Sequence, residues 1–133
     1  MPKRIDIYHN TIVAMGEGIL ITGADPAYPQ RVRGNAVFAA KPISGGQQAG
    51  NVTAPYSAAA QYLAKPGGTL GSTLDLYPLT GKLQGATVDT SYALSLLDGE
   101  LDFNKTPRSS TFYGAYSGDG VNPGWRPALA IMP

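Results

Sequence analysis

The chain contains no cysteine. That absence alone excludes disulfide staples, thiolate metal sites and thiol nucleophiles. Histidine occurs once, as His9, so a zinc site would need three carboxylates to join it. Charge is also scarce. Asp, Glu, Lys and Arg make up 14% of the residues, and 10 basic against 9 acidic side chains leave a formal net charge of +1. The cations are dispersed, with Lys3-Arg4 and Arg31/Arg33 as the close pairs. Dispersed cations do not make a phosphate track, so no nucleic-acid partner is expected. A net charge near zero does little to hold molecules apart, which favours association. Apolar runs stop at about five residues, against the roughly 20 that span a bilayer. No membrane contact is therefore expected. The start, MPKRIDIY, is basic but carries no apolar stretch of signal-peptide length behind it. Without such a signal, the Asn51-Val52-Thr53 glycosylation pattern reads as a chance match.

Glycine and proline are plentiful, at 17 and 11 residues, and they punctuate the whole chain. Short segments between turn residues, rich in Tyr, Thr, Val and Ile, predict an all-β fold. Ile5, Ile7 and His9 alternate with Asp6, Tyr8 and Asn10, and Gly16-Glu17-Gly18 has the composition of a hairpin loop. Arg31 to Ala40 reads as a strand, and Lys41 to Gly50 as a loop that a partner orders. The best helix candidate is 53–64, with Thr53 as cap, Pro55 in the first turn, and Tyr56, Ala60 and Leu63 on one face. Strand character returns from Thr69 to Asn104. There, "TLDLYPLTGKLQ" and "YALSLLDGELDF" echo one another as two similar hairpins. The tail gathers Phe112, Tyr113, Tyr116 and Trp125 among glycines and prolines, and 128–132 is apolar. The expected architecture is a single domain over 1–133, mainly an antiparallel sandwich or barrel-like set of short hairpins. It has at most one short helix near 53–64, and 1–8 and 105–133 are candidate extended arms.

Candidate chemistry is thin. A catalytic histidine needs a partner and a group that orients its ring. Asp6, three residues from His9, falls on the opposite strand face, and no serine sits in a Gly-x-Ser-x-Gly elbow. Asp98, Glu100 and Asp102 share a face only if the stretch is one strand, and Asp98-Gly99 as a turn disperses them. Ser117 to Asn122 lacks the repeated acids of a calcium loop. No catalytic residue, metal or cofactor is expected. The residues with the character of a binding surface are Tyr113, Tyr116, Trp125 and Arg126, because aromatics beside arginine bury large area with few rotors. The alternative for the aromatics is a packed core.

Small, cysteine-free, weakly charged and rich in Ala, Gly, Pro and Thr, the chain resembles the small decoration, or cement, proteins of tailed-phage capsids in composition and layout. The resemblance implies a β-rich, trimeric structural protein, made in the host cytoplasm. It would bind the major capsid protein lattice on the virion exterior and stabilise the assembled state by mass action. A second reading is a carbohydrate-binding β module that stacks sugars on Tyr113, Tyr116 and Trp125. A third, enzymatic, reading would combine His9 with the acids at 98–102.

Overall fold

The structure, a computed structural model, describes residues 1–93, 95 and 99–131. Six strands form the first half: β1 (Ile5–Tyr8), β2 (Thr11–Leu20), β3 (Gln30–Arg33), β4 (Ala36–Ser44), β5 (Gln47–Ala49) and β6 (Val52–Ala54). The odd strands make one three-stranded sheet, in the order β1-β3-β5, and the even strands another, β2-β4-β6. Every pairing in both sheets is parallel. The chain therefore coils. Each odd strand turns one corner into the even strand that follows, and the next coil lies in register beside it. Three rungs result: β1–β2, β3–β4 and β5–β6.

The fold is all-β, as the punctuation predicts, but the first half is a parallel β-solenoid where antiparallel hairpins were expected. The difference lies in Gly16-Glu17-Gly18. These residues do not turn the chain back. They lie within β2, where its register against β4 shifts between Ala14 and Glu17. A Cβ on Gly18 would run into Val37 and the Pro42 carbonyl, so this glycine permits close strand approach. The expected loop at 41–50 is also mostly strand. β4 runs to Ser44, and Gly45 and Gly46, at φ 85° and 71°, turn the chain into β5.

Two apolar clusters sit on the two faces of the β2-β4-β6 sheet. Ile12, Ala14, Val37 and Ala39 face Ile7 and Val32 across the inside of the solenoid. Val13, Phe38 and Ala54 face outward onto Ala59, Leu63 and Leu83. The helix expected near 53–64 is a short 3-10 turn at Tyr56–Gln61, which buries Ala59 against this outer face. Among the described residues between 69 and 104, the strand is β8 (Asp75–Pro78), paired antiparallel with β7 (Leu63–Lys65). Tyr92 lies in a 3-10 turn at Ser91–Ala93. Leu94, Leu96, Leu97 and Asp98, which carry the second copy of the hairpin echo, fall outside the described residues, as do Met132 and Pro133. The candidate arms are placed as follows. Ile5–Tyr8 is β1, and Tyr113 and Tyr116 are buried, whereas Leu129 and Ile131 stand exposed.

Candidate functional site

The corner between the two sheets is built the same way three times. His9, Gly34 and Gly50 adopt φ of 54°, 66° and 58°, the left-handed conformation that carries the chain from one sheet to the other. Each is followed by asparagine: Asn10, Asn35 and Asn51. The three amides stack. The Asn10 N–H and Nδ2 donate to Asn35 Oδ1, at 3.0 and 3.1 Å. The Asn35 N–H and Nδ2 donate to Asn51 Oδ1, at 2.9 and 3.0 Å. Each lower amide also reaches up to the neighbouring rung. Asn35 Nδ2 donates to the Ile7 carbonyl at 3.0 Å, and Asn51 Nδ2 to the equivalent Val32 carbonyl at 2.8 Å. A stack of mutually bonded amides with its middle member, Asn35, fully buried fixes register, because a one-residue slip would break the bonds between them.

The two ends of this ladder differ. At the rung-3 end, the positions in register with inward-facing Val32 and Val37 are Gln48 and Thr53, both exposed and polar. At the rung-1 end the inward positions are Ile7, Ile12 and Ala14, all apolar and only half-buried. The backbone is open there too. The Ile5 and His9 N–H groups bond to Pro29 and Arg33. In a parallel edge strand the alternate residues, Asp6 and Tyr8, then aim their N–H and C=O groups away from the stack. Asn10 Oδ1 accepts no hydrogen bond among the described residues, although its counterparts on Asn35 and Asn51 each accept two.

Beside the rung-1 corner lies a cavity of about 500 Å³, bounded by His9, Asn10 and Thr11 on one side and by the 101–108 loop with Ala115 on the other. His9 is buried in its wall, its Nε2 3.3 Å from Thr90 Oγ1 and its ring edge-on to Tyr8. Burial lowers its pKa from 6.5 to about 4; the nearby Arg108 guanidinium adds to the effect and the Gly34 backbone opposes it. The ring is thus neutral at pH 7. The ionic groups opposite are bonded to backbone. Asp102 accepts from the N–H groups of Asn104, Thr106 and Ser117, each at 2.8 Å. Arg108 donates to the carbonyls of Gly114, Ala115 and Leu101. Both charges brace the loop that walls the cavity. Glu100 is exposed, and no group of three or more His, Asp or Glu among the described residues is arranged to hold a metal.

The residues expected to form a binding surface are spread through the second half. Tyr116 is 1% exposed and packs edge-to-face with Tyr77 and Phe103. Phe103 in turn packs against half-buried Trp125. Tyr113 stands apart from this set, buried, with its hydroxyl donating to the Ala86 carbonyl at 2.8 Å. Arg126 is exposed and pairs with Asp75 at 3.3 Å. Tyr113 and Tyr116 are core residues and do not join Trp125 in an exposed stacking platform, because a small fold spends its largest apolar side chains on its interior. Asp119, in the glycine-rich turn at 117–122, ties that turn to the Gly81 N–H and to Gln84.

The asparagine ladder is the feature that sequence reasoning missed. Its signal is the recurrence of "HNTIV", "GNAVF" and "GNVTA". The asparagines fall at unequal spacings, so a search for a fixed period passes over them. Compared with protein-family models, curated proteins and solved structures, the chain matches none of them.

Proposed function

We propose that this protein is a non-enzymatic structural module that works by associating with other polypeptide through the open, rung-1 end of its solenoid. The observation that supports this most directly is the contrast between the two ends. One presents Gln48 and Thr53 to water, and the other presents Ile7, Ile12 and Ala14 beside an unpaired strand edge. A half-buried apolar end beside a strand edge with no neighbouring strand is a template for pairing. Its net charge of +1 offers little repulsion to a partner. In the wall of the His9 cavity, Asp102 and Arg108 are engaged with backbone and brace the 101–108 loop.

The narrower form of this reading is a trimeric subunit that decorates and stabilises a viral capsid lattice. It rests on composition and layout, and a native mass of three chains with retention on purified capsids would support it. The general reading is tested by sedimentation velocity across a concentration series. The isolated chain is expected to self-associate through its rung-1 end, and an Ile7→Lys, Ile12→Lys double variant with unchanged circular dichroism is expected to stay monomeric. Equal sedimentation of wild type and variant at every concentration would overturn the assignment of this end.

A further inference from the structure

We infer that the rung-1 end is shaped for one kind of occupant: a parallel β-rung of a partner polypeptide whose own corner carries an asparagine. The inference rests on the assembly reading and specifies what docks.

The ladder itself dictates the chemistry. At each filled step, the upper asparagine donates its N–H and Nδ2 to the lower Oδ1, and the lower Nδ2 donates to an upper carbonyl. Asn10 repeats the lower half of this pattern with nothing above it. Its Oδ1 is unpartnered among the described residues, and its Nδ2 keeps the own-rung bond, to the Tyr8 carbonyl at 2.9 Å, that Asn35 makes to Arg33, without the further bond to an upper carbonyl. Only a strand–corner–strand segment running parallel to β1 and β2 supplies an N–H over Asn10 Oδ1, a carbonyl within reach of Nδ2, and backbone partners for Asp6 and Tyr8 together. The inward column calls for apolar side chains over Ile7 and Ile12, as Val32 and Val37 provide from below. Beside this corner, the cavity of about 500 Å³ between His9, Asn10 and Thr11 and the 101–108 loop leaves open space next to Asn10.

A second copy of this chain can cover the apolar end but completes less of the pattern, so self-association is the weaker of the two modes. Stacked head to tail, it would set Gln48 and Thr53 on Ile7 and Ile12, placing a side-chain amide and a hydroxyl against apolar surface. Stacked head to head, it would run the strands antiparallel and leave Asn10 Oδ1 without its donor.

The test joins a copy of residues 30–46, which carry a Gly-Asn corner with inward valines, ahead of Met1 of the full chain. Hydrogen exchange is then followed at the Asp6 and Tyr8 amides. The expected result is at least tenfold slower exchange in the fusion, lost in large part on Asn10→Ala in the fusion. The same substitution in the unfused chain should leave those two amides unchanged. Unaltered exchange at Asp6 and Tyr8, or slowing that is indifferent to Asn10→Ala and Asn10→Ser, would overturn the inference. A fusion that is protected while the unfused chain never associates would keep this inference and discard self-association, so the two failures are distinguishable.

Discussion

Asn35 is the middle step of the ladder, and its replacement by alanine tests the account of the fold directly. The residue is fully buried. Its side chain accepts from the Asn10 N–H and Nδ2 and donates to the carbonyls of Ile7 and Arg33 and to Asn51 Oδ1, all within 3.0 to 3.2 Å. Not all five count fully. The Arg33 carbonyl also holds the His9 N–H, Asn51 Oδ1 also holds the Asn35 N–H, and Asn10 is exposed to water. Three effective bonds at about 1 kcal/mol each give an expected loss of about 3 kcal/mol. That is a large share of the 5–15 kcal/mol that holds a typical domain together. Urea unfolding should show a lower midpoint with unchanged slope.

The isosteric Asn35→Asp discriminates the causes. If packing were what matters, aspartate would be mild. If hydrogen bonding matters, it should cost as much as alanine or more, because a carboxylate would face the Ile7 and Arg33 carbonyls with no proton to donate. A loss under about 1 kcal/mol for alanine, or a mild aspartate, would refute the ladder as the element that sets register.

Other outcomes follow from the same geometry. His9 titrates lower in the folded chain than its ordinary 6.5, near 4, because it is buried. The unfolded chain therefore takes up the proton first, and stability is fully present above about pH 6.5 and is lost as pH falls toward 4, by roughly 3 kcal/mol. His9→Gln should flatten that slope in urea midpoints measured across the range. Gly50→Ala should destabilise by about 2 kcal/mol, because the left-handed φ disfavours a side chain and the new Cβ would strike Val88; a neutral result in thermal unfolding would contradict the corner geometry. Tyr116→Ala should cost about 3–5 kcal/mol, as an aromatic lost from a packed interior does. Arg126→Ala, which removes an exposed half of the pair with Asp75, should cost under about 1 kcal/mol, and equal losses at the two sites would refute the assignment of Tyr116 to the core.

What the sequence made legible and what it hid have a common physical basis. Strand content is local: Ile5, Ile7, Val32 and Val37 are β-branched residues in short stretches, and any sheet would accept them. The sense of pairing is not local. The alternation of Ile5 and Ile7 suits a parallel neighbour as well as an antiparallel one, and the choice was made by β3, some 25 residues downstream. Gly16-Glu17-Gly18 carried the composition of a turn and served as a bulged strand, since glycine meets both needs. The aromatic tail was ambiguous for a different reason. Cores and interfaces select the same side chains, and only burial separated Tyr116 from a binding residue. The asparagines went unnoticed because each one, taken singly, is an ordinary turn residue.

A stack of rungs is nearly one-dimensional, so each rung draws its stability from its neighbours. Rung 2 has neighbours on both sides and holds Val32, Asn35, Val37 and Phe38, all fully buried. Rung 1 has a neighbour on one side only, and its Ile7 and Ile12 are half-buried. Local opening should therefore begin at the two end rungs, with β1 and the start of β2 separating from β3 and β4 at one end and β5 from β3 at the other, while the outer packing of Phe38 on Leu63 and Leu83 persists. Native-state hydrogen exchange should order the amides accordingly, with β4 slowest, near the global unfolding limit, and β1 and β5 faster. The outermost strand at the polar end, β5, tests the reasoning most sharply. It too lacks a neighbour on one side, but opening it releases Gln48 rather than isoleucine from its place, so its exchange should respond less to added salts that strengthen apolar burial than that of β1. Uniform protection across the three rungs, or equal salt response at the two ends, would mean that the ends are energetically alike and that the apolar one is not waiting for a partner.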